Sequence, residues 1–402
     1  MARSAPALST FTAGEISPRL EGRVTIEKYR EGLANLTNMI VQPHGGVTRR
    51  PGTQFLGEVK ASGNVTRLIP FEFKTADTYA LEFGDQYMRI FRNGLQILVG
   101  SSKAITSITK ANPGVFTANS HGYSNGDEIA LVNTSGGMTE LQSRNYRVAN
   151  VTTNTFTLTD LFDVALNTTS FSTYSGSGVV VDEIYEVTTP YTSAQINDVR
   201  FAQSADVMYL VHPSHAVRKL SRSDHNNWSF ATPSFTENTV PSLTGTDNHP
   251  SVVTFFEQRL VFAATNNNPQ TLFFSKNAQY ENFTTGTGDN DALIYTIASN
   301  KVNAIRYLSA TRILNIGTSG GEYVLTTTNG SPVTPTSTVI RKYSNYGCVS
   351  AEVVQVADVT LFAQRGARKV REFRYVGEVD VGGYTAPDIL YGLVERMVHY
   401  WG

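Results

Sequence analysis

One pattern recurs five times along the chain: a short strand, a polar turn, an apolar strand, a second turn and, in most copies, a third strand. Copies begin about 50 residues apart once one long insert is excluded, a spacing typical of β-propeller blades. The copies share a pattern rather than identical residues, so a β-sandwich array is the alternative. In the last four copies the predicted strands span residues 196–201 and 207–211; 252–256, 259–263 and 271–275; 302–307, 312–316 and 322–326; and 352–356, 359–364 and 369–373.

The first copy is separated from the second by much more than one period. Its strands are predicted at 66–73, 79–83 and 87–91, and Asn93-Gly94 is a strong hairpin turn. The excess is a stretch from about residue 103 to 180, rich in Thr, Ser, Asn and Gly, with short alternating runs. Because loop closure entropy rises slowly with length, loops tolerate such insertions. We therefore predict a mainly β fold: a propeller-like body of antiparallel blades with an inserted small β-barrel domain.

The N-terminal region has a different period. Apolar residues recur at three- and four-residue steps between Thr25 and Ile40, which predicts a helix with Thr25 as its N-cap. Residues 9–23 are interrupted by Gly and Pro and are predicted to form an extended arm. Such an arm has little to pack on within its own chain, so we expect it to contact a neighbouring molecule; a disordered terminus is the alternative. The predicted domains are 1–65 (arm, helix and turn), 66–102 (first blade), 103–180 (inserted β-domain) and 181–402 (further blades, a set that need not be complete).

Composition excludes several classes of protein. Charged residues make up only 17% of the chain and the formal net charge is -1, so no global basic field favours nucleic-acid binding. A conduit for DNA stays compatible with this charge, because a channel that passes DNA must not grip its phosphates. The single cysteine, Cys348, rules out an intramolecular disulfide framework and fits assembly in a reducing cytoplasm. No apolar run approaches the roughly 20 residues of a membrane helix, and we expect no secretory signal.

The sequence offers no convincing catalytic or metal-binding motif. His212 and His215 flank a proline, which favours a turn after a strand over a metal site. The glycine-rich stretches 317–321 and 286–291 lack the features of a nucleophile elbow, a phosphate loop or a calcium loop, and are predicted to be turns. We therefore predict a non-enzymatic protein without metal or cofactor, although carboxylate pairs for glycoside hydrolysis stay open. The basic residues most able to face DNA or an acidic partner, although more often part of solvated surfaces, are Arg49, Arg50, Lys60, Arg365, Arg368, Lys369, Arg371 and Arg374.

Three stretches carry a resemblance to a known family. Residues 11–23 read FTAGEISPRLEGR and residues 43–55 read PHGGVTRRPGTQF, with Lys28-Tyr29, Gly32 and Asn38 between them. Residues 67–73 (RLIPFEF), Tyr79, residues 81–85 (LEFGD) and Arg89 form the second stretch, and Ser275, Asn282-Phe283 and residues 289–292 (DNDA) the third. Together they resemble the tail nozzle or tail tubular proteins of short-tailed, podovirus-type bacteriophages. The insert is similar to a small β-module first named from the ubiquitin-activating enzyme (the FCCH module) on His121-Gly122-Tyr123, Asn125-Gly126-Asp127 and Asn145-Tyr146.

The resemblance implies a structural role. It implies a homohexameric ring in the virion, at the distal end of a short tail, that retains double-stranded DNA and conducts it without sequence recognition during ejection. The implied partners are the head–tail connector or adaptor ring and tail fibre or spike proteins. Family members usually continue with more strands, so the number of blades stays open. The candidate residues for contact with a subunit or the connector are Phe11, Gly14, Glu15, Ser17, Pro18, Arg19, Arg23, Arg49 and Arg50.

Two alternatives remain at this point. One is a receptor- or glycan-binding tail protein that uses the inserted module as its binding head. The other is a tail-associated hydrolase, for which no motif is found.

Overall fold

The computed structural model of the chain describes residues 8–53, 56–75, 77–134, 138–141, 145–176, 179–238, 243, 247–298, 302–327, 332–376 and 383–388. Contacts divide these residues into two compact units, the described parts of Met1–Gln54 with Phe235–Gly402 and those of Phe55–Ser234. The regular structure within them is almost entirely antiparallel sheet, with a few 3-10 turns. The prediction of a mainly β fold is confirmed.

The N-terminal segment, defined here as residues 8–53, contains two small strand pairs. One is parallel and the other is an antiparallel hairpin, and two 3-10 turns lie beside them. The elements are β1 (Gly14–Glu15), a 3-10 turn (Pro18–Leu20), a 3-10 turn (Glu27–Glu31), β2 (Gly32–Leu33), β3 (Met39–Val41) and β4 (Val47–Arg49).

The helix predicted between Thr25 and Ile40 is wrong. Helical structure there is limited to a single 3-10 turn, because the next residue, Gly32, has extended backbone that pairs with Gly14. Asn38 then adopts a left-handed conformation with φ of 56°, which a helix cannot continue. The predicted extended arm is also wrong, since the chain turns back at Pro18–Leu20 and β1 pairs with β2.

The first sheet of the unit Phe55–Ser234, the first blade, is a five-stranded antiparallel sheet in which β5, β6 and β7 form a meander. Its sheet order is β16-β7-β6-β5, with β8 also paired to β7. Asn93 and Gly94 both have positive φ at the predicted hairpin turn, as type I′ geometry requires. A four-stranded meander, the second blade, follows later in this unit. The strands are β5 (Arg67–Lys74), β6 (Asp77–Gly84), β7 (Tyr87–Arg92), β8 (Leu95–Gln96) and β16 (Glu186–Thr188), then β17 (Arg200–Ser204), β18 (Val207–His212), β19 (His215–Asp224) and β20 (Asn227–Ala231).

The insert between β8 and β16 forms one seven-stranded sheet of order β10-β11-β14-β13-β12-β15-β9. Only Ile105 and Thr106 separate β9 and β10, although these strands form opposite edges. The three Cα–Cα steps from Ala104 to Ser107 span at most about 11 Å, so the sheet must curl until its edges approach each other, as in a small barrel. Phe116 and Phe156 stack in its core with ring centroids 5.7 Å apart. The strands are β9 (Lys103–Ala104), β10 (Ser107–Ile108), β11 (Val115–Thr117), β12 (Glu128–Thr134), β13 (Asn145–Ala149), β14 (Thr155–Thr159) and β15 (Val179–Glu183), with a 3-10 turn at Thr139–Leu141.

Three more four-stranded meanders lie in the other unit, beginning about 50 residues apart as the repeat predicts. Each has a fourth strand that the sequence pattern did not predict. Residue 196 was predicted to begin a strand, but it begins a 3-10 turn, Ile196–Asp198. The strands of these blades are β22 (Pro250–Phe256), β23 (Arg259–Thr265), β24 (Thr271–Phe274) and β26 (Leu293–Thr296); β27 (Ile305–Ala310), β28 (Leu314–Thr318), β29 (Gly321–Thr327) and β30 (Thr338–Ser344); and β31 (Val354–Val356), β32 (Val359–Ala363), β33 (Val370–Val376) and β34 (Gly383–Thr385), with a parallel pair β21 (Thr236–Glu237) and β25 (Asn282–Phe283).

Candidate subunit-contact surface

Several of the predicted contact residues hold the N-terminal segment in shape. The amide of Phe11 donates to the carbonyl of Gly45 at 2.8 Å, which ties the start of the segment to the β3–β4 hairpin. Gly14 has φ of 65° and pairs with Gly32. The carboxylate of Glu15 accepts from the amide of Leu36 at 2.9 Å. These three residues therefore order the segment from within.

The remaining predicted residues differ in their surroundings. Ser17 is buried, and its carbonyl accepts from the amide of Leu20 at the 3-10 turn that Pro18 begins. Arg23, Arg49 and Arg50 are exposed. Arg49 and Arg50 are brought together at the end of β4, whereas Arg23 lies in a separate turn. Arg19 lies in the 3-10 turn Pro18–Leu20, and its side chain is outside the described part of the structure.

The segment buries very little of itself. Among its residues whose burial is described, only Ile16, Ser17 and Gly45 are buried. A Cβ at Gly32 would lie 2.4 Å from Cγ2 of Ile16, so this one apolar contact requires glycine. Large apolar side chains are instead exposed, namely Leu8, Val24, Met39 and Ile40. The segment is ordered by backbone pairing but has almost no core.

The inserted barrel is joined to the first blade by a buried ionic network. Arg89 on β7 is 1% exposed, and its guanidinium donates to Glu128 of the barrel at 2.7 Å and to Glu186 of the returning strand at 3.0 Å. Burial would lower the pKa of Arg89, but these carboxylates raise it. Burial raises the pKa of the neighbouring Glu82, although the hydrogen bond donated by the hydroxyl of Tyr87 lowers that pKa in part. Because two carboxylates from different strands hold the same buried cation, the junction is fixed rather than a loose tether, although Nη1 of Arg89 has no hydrogen-bond partner among the described residues.

The glycine-rich stretch 286–291 is built around a buried arginine. Arg259 is 2% exposed and donates to the carbonyls of Ser275, Asp289 and Asp291 at 2.6–2.8 Å. Burial lowers the pKa of Arg259. The side chain of Asp291 pairs with Lys276 at 2.9 Å rather than facing an open site. The predicted loop is confirmed, and the third stretch of the family resemblance surrounds this arginine.

The other candidate motifs are also turns. His212 and His215 are paired across the hairpin between β18 and β19, with ring centroids 5.1 Å apart. Stretch 317–321 is the tight connection between β28 and β29. No group of three or more potential metal ligands occurs among the described residues. No helix in the described part of the chain is long and apolar enough to cross a membrane.

Three of the C-terminal basic residues are engaged within their own unit, whereas Arg368 is exposed and has no partner among the described residues. Lys369 pairs with Asp388 at 3.2 Å, and Arg374 with Glu372 at 3.4 Å. The Arg371 guanidinium lies 3.4 Å from the centroid of the Tyr346 ring. Lys369, Arg371 and Arg374 thus take part in local ion pairs and a stacking contact.

Sequence reasoning did not predict that charged groups would be buried, although Arg89 belongs to the stretches that carry the family resemblance. Arg89 lies between Met88 and Ile90 in a strand that reads simply as apolar, and its partner Glu128 is distant in sequence. Glu322 is fully buried at the start of β29, where its carboxylate accepts from the hydroxyl of Ser344. Burial raises the pKa of Glu322 to about 7, although the amides of Tyr346 and Gly347 oppose the rise. The available signal was a lone charged residue within an apolar strand.

Comparisons with known proteins give similarity of fold only. No protein-family model matches the chain, and no curated protein matches its sequence. Among solved structures, the chain is similar to phage phi92 endosialidase (13% identity, TM-score 0.30, 75% of this chain) and to the β-propeller domain of Myceliophteria thermophila Cps50 (Swd1) (13%, 0.33, 80% of this chain and 84% of that chain). It is also similar to KlHsv2 with loop 6CD replaced by a Gly-Ser linker (8%, 0.27, 80% and 97%). The chain spans about half, 53%, of the endosialidase chain, and likeness at this level carries no argument about activity.

Proposed function

We propose that this chain is a structural, non-catalytic subunit of a bacteriophage tail. It forms a ring at the distal end of a short tail, retains DNA and conducts it during ejection. The observation that carries the proposal is the N-terminal segment, which is ordered yet buries only Ile16, Ser17 and Gly45 among its described residues. The same residues carry the resemblance to tail nozzle proteins.

A free-energy argument connects this surface to assembly. Ordering a residue costs about 1–2 kcal/mol of backbone entropy, which burial of apolar area normally offsets. The segment leaves Met39 and Ile40 49% and 47% exposed, so it recovers little within its own chain. A neighbouring subunit or the connector supplies the missing burial. Identical head-to-tail contacts between copies close into a ring when the rotation fits.

The contacts made by three C-terminal basic residues favour a conduit for DNA over a protein that binds DNA tightly. Lys369, Arg371 and Arg374 are occupied by partners of their own unit. Free arginine and lysine side chains would hold phosphates through release of counterions and slow the passage of DNA. We expect the assembled ring to bind duplex DNA only weakly and with a shallow dependence on salt, because few phosphates are neutralised.

Multi-angle light scattering tests the proposal. The full chain, alone or mixed with the connector, should form a closed oligomer, whereas a variant lacking residues 1–53 should stay monomeric with its β circular dichroism intact. The double substitution Met39→Ser with Ile40→Ser should weaken assembly. The matched control is Val302→Ser, which changes a valine that is 74% exposed outside the segment. A full chain that remains monomeric with the connector, but binds host-surface glycans on an array, would favour the receptor-binding alternative.

A further inference from the structure

A cleft of about 470 Å³ lies on the inserted barrel, beside residues 57 and 58 of the same unit. Its described lining combines apolar side chains, such as Phe162 and Val164, with the carboxylates of Glu58 and Asp160, and no lysine or arginine is among these described lining residues. Glu58 is half-buried, and no hydrogen bond or ion pair to another described residue satisfies its carboxylate. The cleft therefore fits a group that is both apolar and cationic.

The loop that forms one wall of the cleft is preorganised. One carboxylate oxygen of Asp160 accepts from the amides of Phe162 and Val164, both at 2.9 Å. The amide of Asp160 donates to the carbonyl of Val164 at 2.9 Å, which closes the turn. Phe162 and Val164 are nevertheless 66% and 62% exposed. The turn thus exposes two apolar side chains to solvent. Because its backbone is already ordered, a binding partner does not have to order the loop.

The loop is also connected to the buried network of the barrel. Asp163 at its tip pairs with Arg147 at 2.6 Å, and Arg147 contacts Glu128 at 3.3 Å. Glu128 in turn pairs with the buried Arg89 of the first blade at 2.7 Å. This series of charges fixes the position of the cleft wall relative to the first blade.

The β3–β4 hairpin carries the complementary chemistry. Residues 39–53 contain two arginines and no acidic residue. Met39 and Arg49 are directly paired across the hairpin, so their side chains lie on the same face. Both side chains are exposed, and Arg49 has no hydrogen-bonding or ionic partner among the described residues. The hairpin therefore presents an apolar side chain and a free guanidinium together.

We propose that the cleft of one copy of the chain receives the β3–β4 hairpin of a second copy. Arg49 then pairs with Glu58, and Met39 packs against Phe162, where a thioether–ring contact is favourable. Each copy carries one cleft and one hairpin, so the contact is head-to-tail and propagates from copy to copy. This inference rests on the proposed function, because it identifies which surfaces of the homo-oligomer meet.

Charge exchange between the two surfaces tests the inference by sedimentation velocity on the full chain. Arg49→Glu and Glu58→Arg should each weaken self-association by about tenfold or more, because each places like charges in contact. An equimolar mixture of the two variants should assemble again, since each hairpin then meets a cleft of opposite charge. Phe162→Ala, in a chain that keeps Arg49 and Glu58, should also weaken self-association.

Matched controls separate this contact from general charge effects. Arg30→Glu in the same segment and Glu72→Arg on β5 make the same charge changes at exposed residues and should leave assembly unchanged. A wild-type chain that never associates would overturn both the proposed ring and this contact. Assembly of wild type that persists in both single variants would overturn this contact alone. If the double variant Arg49→Glu/Glu58→Arg regains self-association but the mixture of single variants does not, Arg49 and Glu58 pair within one chain and the inference is wrong.

Discussion

The N-terminal segment and the inserted barrel are both short β structures, but they are stabilised in different ways. In the barrel, Phe116, Phe156 and Leu158 are completely buried in a continuous apolar core. In the segment, Ile16 is the single large apolar side chain that is buried among the residues whose burial is described. Backbone hydrogen bonds are present in both regions, so hydrogen bonding alone does not distinguish them.

This difference shows which region needs a partner. A strongly curled sheet such as that of the barrel encloses a continuous apolar core, and its two edge strands are each only two residues long. A two-stranded hairpin such as β3–β4 buries neither face and is marginal in water without further packing. We therefore expect the barrel to tolerate isolation from other subunits, and the segment to acquire its burial through assembly. Measurements of stability below the concentration of assembly can test this contrast.

The largest effect should come from the barrel core. Phe156→Ala removes a ring that contacts Phe116 and His121. It should lower the free energy of unfolding of the barrel by about 4 kcal/mol, because burial is lost and a cavity remains. Hydrogen exchange of barrel peptides provides the measurement. The matched control is Phe162→Ala, which truncates an exposed phenylalanine of the same barrel and should cost less than about 0.5 kcal/mol.

Equal losses in these two variants would mean that the barrel does not depend on its core.

The junction between barrel and blade should show the next effect. Arg89→Met leaves Glu128 and Glu186 without their buried cation and should destabilise the unit by about 3 kcal/mol. Arg92→Met on the same strand breaks a more exposed pair with Asp77 and should cost at most about 1 kcal/mol. Denaturant unfolding followed by Trp228 fluorescence reports on this unit. A loss for Arg89→Met no greater than that for Arg92→Met would show that the network is not a stabilising junction.

The sequence predicted the blades better than the regions between them. Alternation of period two locates strands such as Tyr87–Arg92, because a buried face must be apolar. It missed the fourth strands of the later blades, such as Asn227–Ala231 at the edge of the second blade, since edge positions tolerate polar residues. The helical period before Ile40 failed because pairing of Gly14 with Gly32 overrides local preference.

The contact residues were predicted with mixed accuracy. Arg49 and Arg50 are exposed and close together, but Gly14 and Glu15 act within the segment. Glu58 was missed, because its role depends on a loop about 100 residues away that the fold brings beside it.

Glu322, in the other unit, is a buried carboxyl that differs from Glu128 of the barrel. It has no cation in direct contact among the described residues, and its carboxylate accepts a hydrogen bond from the hydroxyl of Ser344. The folded-state pKa of Glu322 is about 7, above its ordinary value of 4.5. Its stabilising contribution is therefore complete below pH 4.5 and is lost as pH rises through 7, by up to about 3 kcal/mol. Glu322→Gln removes this dependence, so the variant should gain stability relative to wild type between pH 5 and 8. Denaturant unfolding across this range provides the measurement, with the exposed Asp358→Asn as the control.

A difference between wild type and Glu322→Gln that stays constant over the pH range would show that the carboxyl is not held protonated by burial.

The smallest effect on stability should come from the N-terminal segment. This small effect is the most informative test of the contrast between the segment and the barrel. Met39→Ser with Ile40→Ser changes two side chains that are about half exposed, so the unassembled chain should lose less than about 0.5 kcal/mol. The same variant should lose much of its self-association, because these side chains become buried only between subunits. Thermal unfolding below the assembly concentration, paired with light scattering above it, separates the two quantities. A large loss of stability in the unassembled chain would mean that the hairpin packs within its own subunit, and the contrast with the barrel would then fail.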